Sequence, residues 1–161
     1  MIKYILILCC IIQSCNNDKV IYEDKIDFKN NTWRHNDNLT FNFKVKEIDK
    51  KYNINVNITH SDYNYRNLIF FSSLYNDSLL IQKDTFNIKI YDKYGQPKGK
   101  GMTNMKKASF SIYKNYNFKK EGFYNIKIEQ AFRIGNISRV DSLSSLYSFG
   151  IVIREQINKS E

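Results

Sequence analysis

Residues 39–60 have the sequence LTFNFKVKEIDKKYNINVNITH, and this stretch decides the fold class. In 39–45 and again in 52–58 every second residue is hydrophobic, while the residues between them are Thr, Asn or Lys. A period of two places alternate side chains on opposite faces of a β-strand. Both segments are therefore predicted strands with one buried face and one solvated face, and the polar segment between them predicts a turn.

The same strand signal recurs along the chain, and no window shows the stripe of an amphipathic helix. Six further strands are predicted, over residues 22–28, 68–74, 85–91, 109–113, 124–132 and 147–153. Residues 68–71 are apolar on both faces, which predicts a central strand covered on both sides. About eight short strands predict an all-β fold, an antiparallel β-sandwich of Greek-key or jelly-roll-like form, in one domain over residues 21–161.

Composition limits the class of protein further. The chain has 161 residues, of which 42% are hydrophobic and 15% aromatic, so it is too apolar for an intrinsically disordered protein. The formal charge is +9, but most of the basic residues are Lys. Nucleic-acid readers favour Arg for bidentate contacts, so the charge predicts no nucleic-acid partner.

The first fifteen residues have the organisation of a bacterial lipoprotein signal. Lys3 precedes an apolar run over residues 4–12, which is too short to span a bilayer. The run ends in Ile12-Gln13-Ser14-Cys15, which resembles a lipobox: an aliphatic residue, a small residue before the cut, and the cysteine whose sulfur accepts a diacylglyceryl group. Residues 1–14 are a predicted cleaved signal peptide, Cys15 a predicted site of S-diacylglycerol and N-acyl (palmitate) attachment, and residues 15–20 an acylated tether.

The predicted modification makes membrane lipid a partner of the protein. Two or three acyl chains give stable anchoring, so the chain is expected to be tethered to the cell envelope and not to span it. No run of acidic residues follows Cys15. Such runs resemble surface-export signals of lipoproteins in the Bacteroidetes, and their absence favours the periplasmic face of the outer membrane.

Residues for catalysis or metal binding are scarce. His35 and His60 are the only histidines, and removal of the signal and acylation of Cys15 leave no free thiol. We therefore predict no catalytic residue, metal, cofactor or small-molecule substrate. A hydrolase built on clustered carboxylates stays open as a minor alternative, with four residues that could meet in space: Asp62, Asp84, Asp92 and Glu129.

Three local features suggest a structural or an interaction role for the residues concerned. Glu129 and Arg133 would lie on one strand face, where an ion pair is the expected arrangement. Tyr124, after Gly122-Phe123, is either a tyrosine corner or an ordinary core aromatic. The glycine-rich segment 95–101 lacks the Lys-Ser/Thr ending of a phosphate loop and is predicted to be a hairpin loop.

Exposed aromatic residues suggest a second function. If Trp33, Tyr63 and Tyr65 formed a flat exposed row, the protein would be a carbohydrate-binding envelope lipoprotein. Packing in the core is the competing interpretation for the same residues.

A set of short segments along almost the whole chain resembles one family. The segments are the lipobox at Cys15, Asn31-Thr32-Trp33, Leu39-Thr40-Phe41-Asn42-Phe43, Tyr52-Asn53-Ile54, Asn67-Leu68-Ile69-Phe70, Asp84-Thr85-Phe86, Gly99-Lys100-Gly101, Gly122-Phe123-Tyr124 and Ile128-Glu129-Gln130-Ala131-Phe132-Arg133. Together they are similar to the gliding motility lipoprotein family GldH of Bacteroidetes. The resemblance implies a non-enzymatic, membrane-anchored interaction module that supports assembly of the gliding apparatus and the associated type IX secretion machinery, with protein partners there.

Placement in this group implies one further modification. Asp77-Ser78-Leu79 and Asp141-Ser142-Leu143 look like the Asp-Ser/Thr-aliphatic sites of periplasmic O-glycosylation. Ser78 and Ser142 are therefore candidate glycosylation sites, and both fall in predicted loops.

Overall fold

A computed structural model describes residues 18–136 and 140–157. In this part of the chain the elements are β1 (Lys19–Asp27), a short 3₁₀ helix (Lys29–Asn31), β2 (Thr32–Arg34), β3 (Leu39–Val45), β4 (Tyr52–His60), β5 (Asn67–Asn76), β6 (Leu79–Lys89), β7 (Lys106–Tyr116), β8 (Gly122–Gln130), β9 (Ser142–Ser144) and β10 (Leu146–Glu155). All eight predicted strands are present. The sequence did not predict β2 and β9, because three residues are too few to show a period of two.

The strands form two four-stranded antiparallel sheets, in the orders β1-β10-β4-β7 and β3-β8-β5-β6, and β2 pairs with β9. Counting only the eight long strands in chain order, the two sheets become 1-8-3-6 and 2-7-4-5. This order is a jelly roll, in which the chain passes repeatedly between the sheets. The predicted all-β sandwich is confirmed, and the topology identifies the jelly-roll form of it.

The core lies between the sheets and is rich in aromatic residues. Phe149 of β10 lies at its centre, with ring centroids 5.3 Å from Phe70 and 6.3 Å from Phe41 of the facing sheet. Burial alternates strictly along β3 and β4, as the opening segment predicted. Hydrophobic burial across this interface is the main source of stability of the domain.

The strand that is buried on both faces is β10. The prediction that residues 68–71 form a central strand covered on both sides is therefore wrong in part. The segment lies in β5, which is central in its sheet, but Ile69 and Phe71 on the outer face are only half-buried. In β10 the outward residues include Gly150 and Val152, both buried. These short residues lie below the longer side chains of β1 and β4, and a Cβ on Gly150 would approach a β1 backbone oxygen to 2.9 Å.

The connections divide the sandwich into two unlike ends. At the N-terminal end, where β1 begins and β10 stops, the connections are short and cover residues 46–51, 77–78 and 117–121. At the opposite end, here called the loop end, the connections cover residues 28–38, 61–66, 90–105 and 131–145 and include the β2–β9 pair. The strands separate the two ends by about 30 Å, since β1 has nine residues at about 3.3 Å each.

Candidate interaction surface

The predicted signal peptide over residues 1–14 and the predicted acylation site Cys15 lie outside the described residues. The nearest regular element is β1, which begins at Lys19. Lys19 follows Cys15 by four positions, so the two Cα atoms lie at most ~14 Å apart even in a fully extended chain. A lipid on Cys15 would therefore hold the N-terminal end of the sandwich near the membrane surface.

Buried Gln130 joins two connections at the loop end to the end of β8. Its Oε1 lies 3.1 Å from His35 Nδ1, and its Nε2 donates a hydrogen bond of 3.0 Å to the backbone oxygen of Val140. The side chain is 1% exposed and lies at the last residue of β8. It therefore links the end of that strand to the 28–38 and 131–145 connections.

Sequence reasoning passed over Gln130, although a signal for it was present. Gln130 continues the inward series Tyr124, Ile126 and Ile128 on β8. A polar residue in a buried series needs internal hydrogen bonds, because an unpaired buried amide costs free energy. Its neighbour Glu129 was singled out instead, because it carries charge.

Trp33 lies in the core at the loop end. It is completely buried, its ring stacks on Phe28 at 5.5 Å, and its Nε1 donates a hydrogen bond of 2.8 Å to the backbone oxygen of Asp37. The indole thus holds the connection between β2 and β3 against the core. Trp33 has a structural role and offers no exposed surface to a ligand.

The other aromatic residues of the proposed sugar platform do not form an exposed row. Tyr63 is buried and its hydroxyl donates a hydrogen bond of 3.3 Å to the backbone oxygen of Asn67. Its ring meets Tyr65 edge-on, and Tyr65 packs on Phe132 at 4.6 Å. Burial raises the pKa of Tyr63 well above its usual value. These rings stabilise the 61–66 and 131–145 connections. The flat exposed row of aromatic side chains that the carbohydrate-binding hypothesis required is therefore absent from these three residues.

His60, at the end of β4, holds the glycine-rich connection in place. Its Nε2 lies 3.1 Å from the backbone oxygen of Lys98, whereas its buried Nδ1 has no hydrogen-bond partner. Burial lowers the pKa of His60 below its usual value, although the Lys98 oxygen and Asp62 oppose this shift. The imidazole is therefore neutral at pH 7.

The segment 95–101 folds back on β7. Lys100 and Lys107 exchange two backbone hydrogen bonds, of 3.0 and 2.9 Å. Gly99 has φ +116°, and a Cβ there would lie 2.7 Å from the oxygen of Lys107. Glycine is needed here because the backbones approach closely. The amides of Lys98 and Lys100 donate to the backbone oxygens of Ile90 and Lys107, so both are engaged in the fold.

Beside this segment, two adjoining grooves cross the outer face of the β1-β10-β4-β7 sheet. One, of about 620 Å³, lies between Lys98–Lys100 and the start of β7. The other, of about 480 Å³, lies over Ser148 and Gly150 between β1 and β4, and Asn57 and Lys107 line both. Both grooves are open. Apolar atoms make up most of the lining of the first groove, whereas polar and apolar atoms line the second about equally, and the two together offer amide, hydroxyl and ammonium groups beside apolar surface.

The four candidate carboxylates are held apart, each by other partners. Asp84 accepts a hydrogen bond of 2.7 Å from the Tyr113 hydroxyl, and Asp92 accepts bonds from backbone amides of its own loop. Asp62 contacts Asn104, and Glu129 pairs with Lys127 at 3.0 Å. Within residues 18–136 and 140–157, no group of three or more His, Cys, Asp or Glu residues is placed to hold a metal ion.

The predicted Glu129–Arg133 ion pair is wrong. β8 ends at Gln130, so Arg133 leaves the strand and is exposed, and Glu129 pairs with Lys127 two residues away on the same face.

For Tyr124 the structure decides between a tyrosine corner and an ordinary core aromatic. Its hydroxyl donates a hydrogen bond of 2.8 Å to the backbone oxygen of Lys120, which is the bond of a tyrosine corner.

The two candidate glycosylation serines lie at opposite ends. Ser78 is exposed in the two-residue turn between β5 and β6, at the N-terminal end. Ser142 is exposed at the loop end, but it belongs to β9 and pairs with Arg34. The predicted loop position is confirmed for Ser78 and wrong for Ser142.

Fold and surfaces together define a jelly-roll module in which the start of β1 and the long loops lie at opposite ends. The chain belongs to the GldH lipoprotein family, whose model matches residues 20–153. It is 26% identical over 154 residues to the gliding motility lipoprotein GldH of Flavobacterium johnsoniae, with 94% of each chain covered.

The comparison with solved structures is weaker. The infectious bursal disease virus VP2 subviral particle matches 86% of this chain and 36% of its own chain, with 11% identity and a TM-score of 0.34. A likeness of this strength has no bearing on function. None of the helices in the described residues is long and apolar enough to cross a membrane.

Proposed function

We propose that this protein is a non-enzymatic lipoprotein that is acylated at Cys15 and supports assembly of the gliding apparatus and the associated type IX secretion machinery. Membership of the GldH lipoprotein family supports the anchor and the gliding role. We further propose that it lies on the periplasmic face of the outer membrane, because no acidic run follows Cys15.

The interaction role is inferred from the asymmetry of the sandwich, whose two ends differ. The start of β1 lies at one end, and the four long connections lie at the other, about 30 Å away. Gln130, Trp33 and the Tyr63–Tyr65–Phe132 cluster hold the 28–38, 61–66 and 131–145 connections to the core, and His60, 3.1 Å from the oxygen of Lys98, holds the 90–105 connection. Rigid loops opposite an anchor are suited to binding a partner protein with little loss of conformational entropy.

Exposed residues at the loop end supply contacts for such a partner. Tyr94 is 76% exposed and Met102 is 90% exposed, both in the 90–105 connection beside the grooves. Exposed apolar side chains together with amide, hydroxyl and ammonium groups are the composition of a protein-binding surface. We infer that gliding or secretion proteins contact the protein here.

The experiment is affinity capture of the acylated protein from membranes, with identification of co-purifying envelope proteins. Parent protein should capture gliding or secretion components, and the double variant Tyr94→Ser/Met102→Ser should capture them more weakly. Asn42→Ser/Thr85→Ser, both exposed in β3 and β6 of the other sheet, is the matched control and should behave as the parent in this assay. Gene deletion that leaves both gliding and type IX secretion intact would refute the proposal.

The acylation has a separate test. A clickable fatty acid should label the protein, and Cys15→Ala should abolish the label.

O-glycosylation at Ser78 or Ser142 remains a proposal supported by the exposure of both serines. An intact mass without hexose-sized increments would contradict it.

A further inference from the structure

Exposed apolar side chains concentrate at the N-terminal end. Of the eleven large hydrophobic side chains that are exposed among the described residues, seven lie there: Val20, Ile48, Leu79, Leu80, Ile81, Phe123 and Ile157. The other four, Tyr94, Met102, Met105 and Ile134, are spread over the longer connections of the loop end. A cluster of exposed apolar residues on a soluble domain marks a surface that contacts a partner or a membrane.

The seven residues are distributed around this end of the sandwich, and together they are called the apolar rim. Val20 lies on β1 and Ile48 in the 46–51 connection, whereas Leu79 begins β6 and Phe123 lies at the start of β8. The two sheets and their connecting segments therefore all contribute. Hydrogen bonds from Asn76 Nδ2 and Asp77 N to the Phe123 oxygen, of 3.1 and 3.0 Å, hold the β5–β6 turn against β8, so the Leu79 and Phe123 part of the rim is rigid.

Lysines accompany the apolar rim. Lys46 and Lys51 lie in one connection, Lys119 and Lys120 lie in another, and all four are exposed. The Nζ of Lys44 lies 5.3 Å from the centre of the Phe123 ring. Long lysine stems can lie along apolar surface while their ammonium groups reach phosphate headgroups. Acidic residues in the connections of the same end, Glu47, Asp49, Asp77 and Glu121, offset much of this charge, so apolar insertion contributes more than electrostatic attraction.

We propose that the N-terminal end docks on the membrane that holds the acyl chains of Cys15, with Ile48, Leu79–Ile81 and Phe123 in the interface between headgroups and acyl chains. The inference rests on the acylation proposed above, since the tether of at most ~14 Å brings this end to the bilayer. Docking holds the sandwich upright and fixes the loop end about 30 Å or more from the membrane surface. A lipid tether without docking would let the domain lie on its side.

The test uses the full acylated chain in vesicles of phosphatidylethanolamine and phosphatidylglycerol with brominated acyl chains. Trp33 is the only tryptophan and is buried at the loop end, so it provides a constant background. Separate variants carry a second tryptophan as Leu79→Trp, as Ile48→Trp, or as Met102→Trp, the control at the loop end. Flotation with the vesicles checks the anchor first, and near-native circular dichroism checks folding.

Docking predicts that bromolipid quenches the new fluorescence of Leu79→Trp and Ile48→Trp at least twofold more than that of Met102→Trp. Raising the salt concentration should change this ratio little. If the protein floats but both reporters are quenched no more than Met102→Trp, docking is overturned while acylation stands. Loss of flotation in the parent would instead overturn the acylation proposal.

Discussion

The Gln130 side chain allows the stability of the loop end to be tested separately from that of the rest of the sandwich. Replacement by Met (Gln130→Met) keeps the length of the side chain but removes both of its hydrogen-bonding groups. His35 Nδ1 and the oxygen of Val140 then lose their partners at 3.1 and 3.0 Å. The apolar core beside Gln130 is unchanged, so the variant isolates the polar contribution.

Its magnitude follows from the two hydrogen bonds and their burial. Each bond contributes about 0.5–1.5 kcal/mol, and leaving a buried carbonyl without a partner costs about 1–3 kcal/mol. We expect the free energy of unfolding to fall by about 2–3 kcal/mol. For a domain of this size that corresponds to a decrease in Tm of roughly 5–10 °C.

Urea denaturation followed by Trp33 fluorescence measures this change, because the indole lies in the core at the same end. The control is Glu129→Gln, which removes only the half-exposed pair with Lys127 and should cost less than about 1 kcal/mol. Amide exchange should accelerate in the 131–136 and 28–38 segments but not in 46–51. If the free energy of unfolding of Gln130→Met lies within about 0.5 kcal/mol of that of the parent, Gln130 does not link β8 to the 28–38 and 131–145 connections.

Three further predictions concern single residues. Because burial lowers the pKa of His60 in the folded state, the unfolded state binds the proton first, so stability should fall as the pH drops below about 6.5. His60→Leu should flatten that slope in urea titrations between pH 7 and 5.5, and an unchanged slope would contradict this. Gly99→Ala should destabilise the protein by roughly 1–3 kcal/mol, because its φ is positive and its Cβ would meet the Lys107 oxygen, whereas Gly95→Ala, with open space around it, should cost less. Tyr124→Phe removes the tyrosine-corner hydrogen bond and should lower stability by about 1 kcal/mol, and an unaltered urea midpoint would argue against that bond.

The long strands were predictable because their signal is local. The alternation in 39–45 and 52–58 matches the burial of β3 and β4 residue by residue, since a strand between a core and water must present unlike faces. The lipobox at Cys15 and the segments of the GldH lipoprotein family are local signals too. The fold class and the family were thus accessible without a structure, and the anchor stays a prediction from the lipobox.

Contacts between distant segments were not accessible. Trp33 and Tyr63 have the same chemistry whether they are exposed or buried, and only packing against Phe28 and Tyr65 places them inside. Glu129 was assigned to Arg133 because the strand was extended past Gln130, where the chain turns toward β9.

The sequence by itself determined that this chain folds as a β-sandwich and predicts a lipid anchor before it, because strand periodicity and the acylation signal each lie in consecutive residues. Only the tertiary structure decided which end of the sandwich each residue occupies. The jelly-roll order brings 46–51, 77–78 and 117–121 together at the end where β1 begins, although they are far apart in the chain. The apolar rim and the Gln130 link both arise from that topology, since strand order sets which connections meet in space.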